Sequence, residues 1–162
     1  MADPGQMNAT FMYTDTWGIY QGTVDNLTDG DSSTALDFRT SGDRTRKGDY
    51  IGWDLGKETA IGKIHAVIGG DRSAGDKWEK YSLQYSNDNQ NWTTYKTYQG
   101  VASGKDTVEE NFYGLKARYV RLVNEEERAV WVIFSEFSVK AYNPDEDFNN
   151  ANVYTCLLYT SP

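Results

Sequence analysis

Three kinds of chemistry-bearing residue stand out in this chain. Asp29-Gly30-Asp31, with Thr34 three residues on, is a tight acidic turn. Such a turn offers carboxylate, hydroxyl and carbonyl oxygens together, the hard donors that Ca²⁺ takes six to eight of. Glu136 is the second kind: it lies between Phe134 and Phe137 in a stretch of strand character, where a carboxylate is costly without a partner. The third is a mixture of acids and arginines. Asp37, Arg39, Asp43, Arg44 and Arg46 form one group, Asp71, Arg72, Asp76 and Lys77 follow Gly69-Gly70, and Glu125-Glu126-Glu127-Arg128 is a third. A carboxylate can accept from two hydroxyls while a guanidinium donates back in a fixed fork, so these groups suit a polyhydroxylated ligand. The competing reading is a solvated surface carrying weak ion pairs.

Catalysis has less support. Hydrolysis by paired carboxylates needs two acids flanking one bond, and Glu125 to Glu127 sit on one short run. The single histidine, His65, falls inside a strand-like segment and has no Ser or Cys beside it. A net charge of −8 argues against nucleic acid and anionic membrane surfaces as partners. No stretch approaches the ~20 apolar residues of a membrane span. Cys156 is the only cysteine, so no internal disulfide framework exists.

The elements that must position these groups read as strands. Ile64, Ala66 and Ile68 alternate with His65 and Val67; Tyr81, Leu83 and Tyr85 alternate with Ser82 and Gln84. Val120 and Leu122 alternate with Tyr119, Arg121 and Val123, and Phe137, Val139 and Ala141 close the pattern. Tyr50 to Leu55 reads as a strand entering a turn, and Asn87 to Asn91 as a turn before Trp92. Short strands at this spacing, with no amphipathic helix, predict an all-β sandwich or barrel. Aromatics at 14%, with 12 Tyr and 5 Trp, fit that class, because rings pack well on a half-buried pleated surface. Ring faces also stack on the apolar face of a pyranose. At 162 residues the chain is long enough for one domain with its own core.

Five stretches together resemble a known superfamily, the discoidin-like (coagulation factor V/VIII type C) domains, and within it the family 32 carbohydrate-binding modules. They are Leu27 to Thr34, Tyr50 to Gly56, Tyr81 to Asp88 running into Asn91-Trp92, Arg118 to Leu122, and Ser135 to Phe137. The resemblance covers residues 10–143 and implies an eight-stranded jelly-roll β-sandwich with ligand loops at one end. It implies a non-catalytic, secreted module tethered to a glycoside hydrolase, of the kind found with hexosaminidases and hyaluronidases. A structural calcium is implied too, held by the Asn26 carbonyl, Asp29 side chain, Asp31 carbonyl, Thr34 hydroxyl and carbonyl, Ser135 carbonyl and Glu136 carboxylate. Such an ion would clip the first loop to the last strand.

The same resemblance places a sugar site on the loops Asp37 to Lys47, Gly69 to Lys77 and Asn124 to Trp131. The expected ligand residues are Asp37, Arg44, Asp71, Arg72, Asp76 and Asn124, with Trp131 as the stacking platform because it lies five residues before Glu136. Trp53 and Trp92 fall at family core positions, and Trp78 also reads as core. Galactose-binding members carry a His three residues past the position of Thr34, where this chain has Asp37. That departure shifts the expectation from galactose or N-acetylgalactosamine towards terminal N-acetylglucosamine. Lipid-binding and adhesion members of the superfamily are the rival reading; they present apolar spikes and basic surroundings, whereas these loops carry Asp, Glu and Arg. One ring and a few exchanged hydrogen bonds imply dissociation constants of roughly micromolar to millimolar, which tethering of several modules would offset.

Residues 1–9 read as linker or cloning-derived. After Tyr142, the polar Asn143-Pro144-Asp145-Glu146-Asp147 reads as a break, so 144–162 forms a second linker. Cys156-Leu157-Leu158-Tyr159-Thr160-Ser161-Pro162 resembles the translation of a sequencing-library adapter, which implies that the chain is a piece of a larger multimodular protein.

Overall fold

A computed structural model describes residues 9–14, 17–39 and 44–145. Eight antiparallel strands make up the domain: β1 (Thr10–Tyr13), β2 (Gly18–Gln21), β3 (Leu36–Arg39), β4 (Tyr50–Ile68), β5 (Lys80–Ser86), β6 (Thr93–Gln99), β7 (Asp106–Asn124) and β8 (Val132–Ala141). The expected all-β sandwich is what the chain forms. A short 3₁₀ turn, Val24–Leu27, lies between β2 and β3, closed by Thr23 N–H donating to Asn26 Oδ1 at 2.9 Å.

The two long strands are the frame. The segments read separately as 50–55 and 61–68 are one strand of 19 residues, β4, and the Val120 segment belongs to an equally long β7. The pair changes partners halfway. Residues 50–54 of β4 lie between β1 and the end of β7, which continues to β5 and β6. Residues 61–68 lie between the start of β7 and β8, which continues to β3 and β2. Two five-stranded layers result, joined by a bent ribbon. The bend is a run of irregular register between Asp54 and Thr59 and between Ile61 and Lys63. Gly56 sits there at φ +83°, a left-handed conformation that a side chain strains.

Alternation decides what fills the space between the layers. Leu36, Phe38, Ile51, Trp53, Ile64, Ala66, Leu83, Val120, Leu122, Val132, Phe134 and Phe137 are all buried in one cluster. Its centre is aromatic: Trp17 meets Phe38 and Trp78, and Trp78 stands edge-on to Phe134 at 5.1 Å. Buried indoles need a partner for N–H. Trp53 Nε1 donates to the Phe137 carbonyl and Trp78 Nε1 to Thr45 Oγ1, both at 3.0 Å. Trp53 and Trp78 are therefore core, as expected. Trp92 is not: it sits half-buried outside the first layer, its ring under the Arg121 guanidinium at 3.8 Å. It follows a turn rather than a strand, so alternation does not carry it inward.

Candidate functional site

Two constellations are built on the edge of the second layer, β2–β3–β8. The first starts from the turn after the 3₁₀ segment. Asp29 Oδ1 accepts Asp31 N–H at 2.9 Å, and the Thr34 hydroxyl lies against Asp29 Oδ2 and, at 2.9 Å, the Asp31 carbonyl. The Asp31 carboxylate turns away to Ser33, taking its N–H and hydroxyl at 2.9 and 2.6 Å. From β8, Glu136 comes within hydrogen-bonding distance of Asp29 and accepts the Gly30 N–H. Glu136 Oε1 is buried with no hydrogen-bond partner.

Burial, reinforced by the neighbouring Asp29, pushes the Glu136 carboxyl up to about 7. Asp29 moves the other way: burial opposes its ionisation, but the Thr34 hydroxyl and Asp31 N–H outweigh that and hold it below the usual range. Two carboxyl groups so close keep either a proton or a cation between them. The residues that could hold a cation are Asp29, Thr34 and Glu136 by side chain, with the Asp31 carbonyl beside them. Among the described residues no group of three or more His, Cys, Asp or Glu side chains converges. A set of two carboxylates with hydroxyl and carbonyl oxygens suits a hard ion rather than zinc. Asn26 uses its side chain to close the 3₁₀ turn and Ser135 gives its hydroxyl to the Gly69 carbonyl at 2.7 Å, so only their carbonyls remain for such a role.

The second constellation lies on the outer face of the same edge. Val130, Val132 and Phe134 point into the core, so Trp131 and Ile133 point outward. Asp37 is opposite Ile133 in the β3–β8 register and shares its face. It therefore belongs to β3, not to the loop that follows. The β4–β5 loop folds over this face. Gly69 N–H donates to the Ile133 carbonyl at 2.7 Å, Ile133 N–H to the Asp76 carbonyl at 2.9 Å. A Cβ at Gly70 would meet Ile133 Cγ2 at 2.5 Å, so only glycine permits that approach. Arg72 then reaches back to the Asp37 carboxylate in an ion pair; Asp37 is 4% exposed and Arg72 39%. Gln21, Ser33, Ala35, Asp37, Asp71 and Arg72 line a cleft of about 300 Å³ there.

Trp131 is held at the end of this face by a two-residue bridge. Thr45 and Val130 exchange both backbone hydrogen bonds, at 2.8 and 3.0 Å. That bridge brings Arg44 over the half-buried indole, 4.7 Å from its centre.

The remaining expected residues serve the scaffold. Asn124 is fully buried; its backbone bonds Asp49 and Gly48, and its Oδ1 takes Glu126 N–H at 2.8 Å. Asp71 pairs with Lys105 at 2.8 Å. Lys77 is fully buried, its ammonium on Asp106 and the Gly104 carbonyl. Glu126 binds Arg128 and Glu127 binds Lys47, at 2.6 and 2.7 Å, so the acidic run fastens loops together. Asp43 lies outside the described residues, as does the side chain of Arg39.

His65 is a strand-face residue, as expected. It lines a larger groove of about 510 Å³ on the outer face of the second layer, with Lys63, Val67, Glu109, Glu136 and Ser138. Lys63 is paired to Glu109 at 2.5 Å, and among the described residues no Phe, Tyr or Trp lines the groove.

Comparison with known proteins settles the family. The sequence profile of the F5/8 type C domain matches residues 6–137. The chain belongs to that family. No curated protein matches this F5/8 type C domain. Solved structures share its fold. CBM32-1 from a family 31 glycoside hydrolase of Clostridium perfringens aligns at TM-score 0.63 and 18% identity, over 85% of this chain and 97% of that one. The family 32 module of C. perfringens NanJ, solved with galactose, gives 0.60 and 16%, over 81% and 92%. A variant of chitosan-binding module 1 from a Paenibacillus chitosanase/glucanase gives 0.57 and 21%, over 84% and 96%. Tyr20, exposed on β2 beside Arg72, is a site-edge ring that sequence reasoning passed over, because a lone Tyr in a four-residue strand carries no signal.

Proposed function

We propose that this F5/8 type C domain is a non-catalytic carbohydrate-binding module of a secreted glycoside hydrolase, binding terminal N-acetylglucosamine-type sugars. The observation that carries the reading is the outer face of β3 and β8. It presents an outward-facing indole, Trp131, beside Arg44, and on the same face an arginine, Arg72, that a buried carboxylate aligns. Stacking on Trp131 supplies the apolar contact. Arg72, fixed by Asp37, keeps exposed guanidinium N–H groups for sugar hydroxyls, and Arg44 and Asp76 stand at the margins. Asp71 and Asn124 contribute by shaping the loops. The carboxylates that line the cleft are each held by a cation, Asp37 by Arg72 and Asp71 by Lys105, which favours binding over hydrolysis.

Calcium belongs to the same reading as a structural ion. Support comes from the unpartnered Glu136 Oε1 and from the convergence of Asp29, Thr34 and Glu136. Bound there, the ion would neutralise the two carboxylates and fasten the β2–β3 loop to β8.

Galactose or N-acetylgalactosamine is the second reading, favoured by the NanJ module having been solved with galactose. Against it, Asp37 is engaged by Arg72 rather than presenting a neutral ring nitrogen to an axial hydroxyl. A glycan array followed by NMR titration with N-acetylglucosamine and galactose separates the two. We expect amino-sugar glycans to bind with the larger shifts at Trp131. Stronger galactose binding replaces the sugar, and no glycan binding at all defeats the module reading.

A further inference from the structure

We infer that the binding face spans two sugar units, with Tyr20 as a second stacking ring, so that the preferred ligand is a disaccharide rather than a single terminal residue. The inference rests on the carbohydrate reading above and extends it. Tyr20 is 60% exposed, an uncommon position for a large ring in a short strand. It lies at a register irregularity between Ile19, opposite Phe38, and Gln21, opposite Asp37. A bulge of this kind re-aims the side chain of the extra residue. Here the ring ends 5.7 Å from the Arg72 guanidinium, on the same outer face as Asp37.

Arg72 thus stands between two functions, pairing with Asp37 below and meeting Tyr20 at the side. At the other end of the face Arg44 and Trp131 make the same kind of pair. The strand order β2–β3–β8 sets the two rings two strands apart. With strands ~4.8 Å apart and ~3.3 Å per residue along them, their Cα atoms are roughly 10 Å from one another. That distance suits two linked pyranoses, one on each ring, with the glycosidic bond over Arg72 and the cleft beside Gln21 open to the second unit.

The test titrates wild type, Tyr20→Ala, Tyr20→Trp and Trp131→Ala with four probes: N-acetylglucosamine, its β-1,4-linked dimer, galactose and lactose. Wild type should bind one of the two disaccharides about fivefold more tightly than its monosaccharide, the gain expected of one added ring contact. Tyr20→Ala should lose that advantage while keeping monosaccharide affinity and melting temperature, and Tyr20→Trp should retain it. Trp131→Ala should lose both ligands. Equal loss of monosaccharide and disaccharide in Tyr20→Ala, or no loss of either, overturns the two-unit site and leaves the sugar reading standing. Wild type that binds none of the four probes overturns the sugar reading itself, and the two-unit site with it.

Discussion

Trp131 differs from its fellow tryptophans in one physical respect. Trp17, Trp53 and Trp78 are enclosed by other rings, and the last two are tied by indole N–H bonds to backbone or hydroxyl oxygens. Trp92 is covered more closely, by Arg121 at 3.8 Å, than Trp131 is by Arg44 at 4.7 Å. Trp131 is half-buried, projecting from a strand whose even-numbered neighbours are core. Removing its ring therefore opens no enclosed cavity. Trp131→Ala should abolish glycan binding while lowering the melting temperature by less than roughly 4 °C, the shift of about 1 kcal/mol in a domain of this size. A collapse of the fold in a thermal scan would make Trp131 a packing residue and remove the platform. At the same scale Asp37 and Arg72 act as a unit: the buried carboxylate has little exposure of its own and works by aligning the guanidinium.

At the scale of elements, the β2–β3 connection is the least self-sufficient part of the site. It crosses from Gly22 to Ala35 with one short 3₁₀ turn, anchored in the core by Leu27, and its acidic turn meets β8 at Glu136. Without a cation, Glu136 and Asp29 confront one another as acids, and burial makes the confrontation worse. Calcium at a hundred times its dissociation constant would add about 2.7 kcal/mol. Chelation should therefore lower the melting temperature by roughly 5–10 °C, and Glu136→Gln should both lower it and remove the sensitivity to chelator. Differential scanning calorimetry with and without EDTA reads both effects, and a wild-type melt indifferent to EDTA rules the ion out. Loop charges elsewhere are consumed in the scaffold: Lys47 with Glu127, Lys105 with Asp71, Arg128 with Glu126. These exposed pairs set loop positions without adding much stability.

Over the whole molecule, the two layers share one bent ribbon, so whatever stabilises the bend stabilises both. Asp54 does so directly. It takes Nε and NH2 of Arg118 at 2.9 and 3.1 Å and the Gly56 N–H at 2.8 Å. The Arg118 guanidinium first, and the Gly56 N–H after it, hold the Asp54 carboxyl below the usual range against the effect of burial. Its folded pKa is depressed, so its contribution is present above the unfolded value of about 3.9 and is lost as pH falls through the lower folded value. Chemical denaturation should show stability declining below about pH 4, with a shallower decline in Asp54→Asn. An unchanged acid slope in that variant would mean that other carboxylates govern it. With a net charge of −8, other acids titrate in the same window, which is why the comparison of slopes carries the test.

Local pattern was enough for some of this. Alternation of Ile64, Ala66 and Ile68, of Leu83 with Ser82 and of Val120 with Arg121 fixed strands and their inner faces, because a side-chain period of two is a property of the strand alone. The acidic turn at Asp29 to Thr34 was legible for the same reason: its hydrogen bonds join residues two to five apart. The merging of two segments into β4 was not, since a ribbon that changes sheets is held by partners far away in sequence. Nor was the fate of Asp37. Its neighbours Leu36 and Phe38 mark it as outward-facing, but only the fold over of Gly69 to Arg72 across Ile133 buries it and supplies its partner. Residue types alone thus determined that the chain carries strands, a hard-oxygen turn and surplus rings. Which charges are spent on the scaffold, and which rings stand on one face with Arg72, was decided by strand order and by a glycine-permitted loop approach, because both depend on atoms distant along the chain.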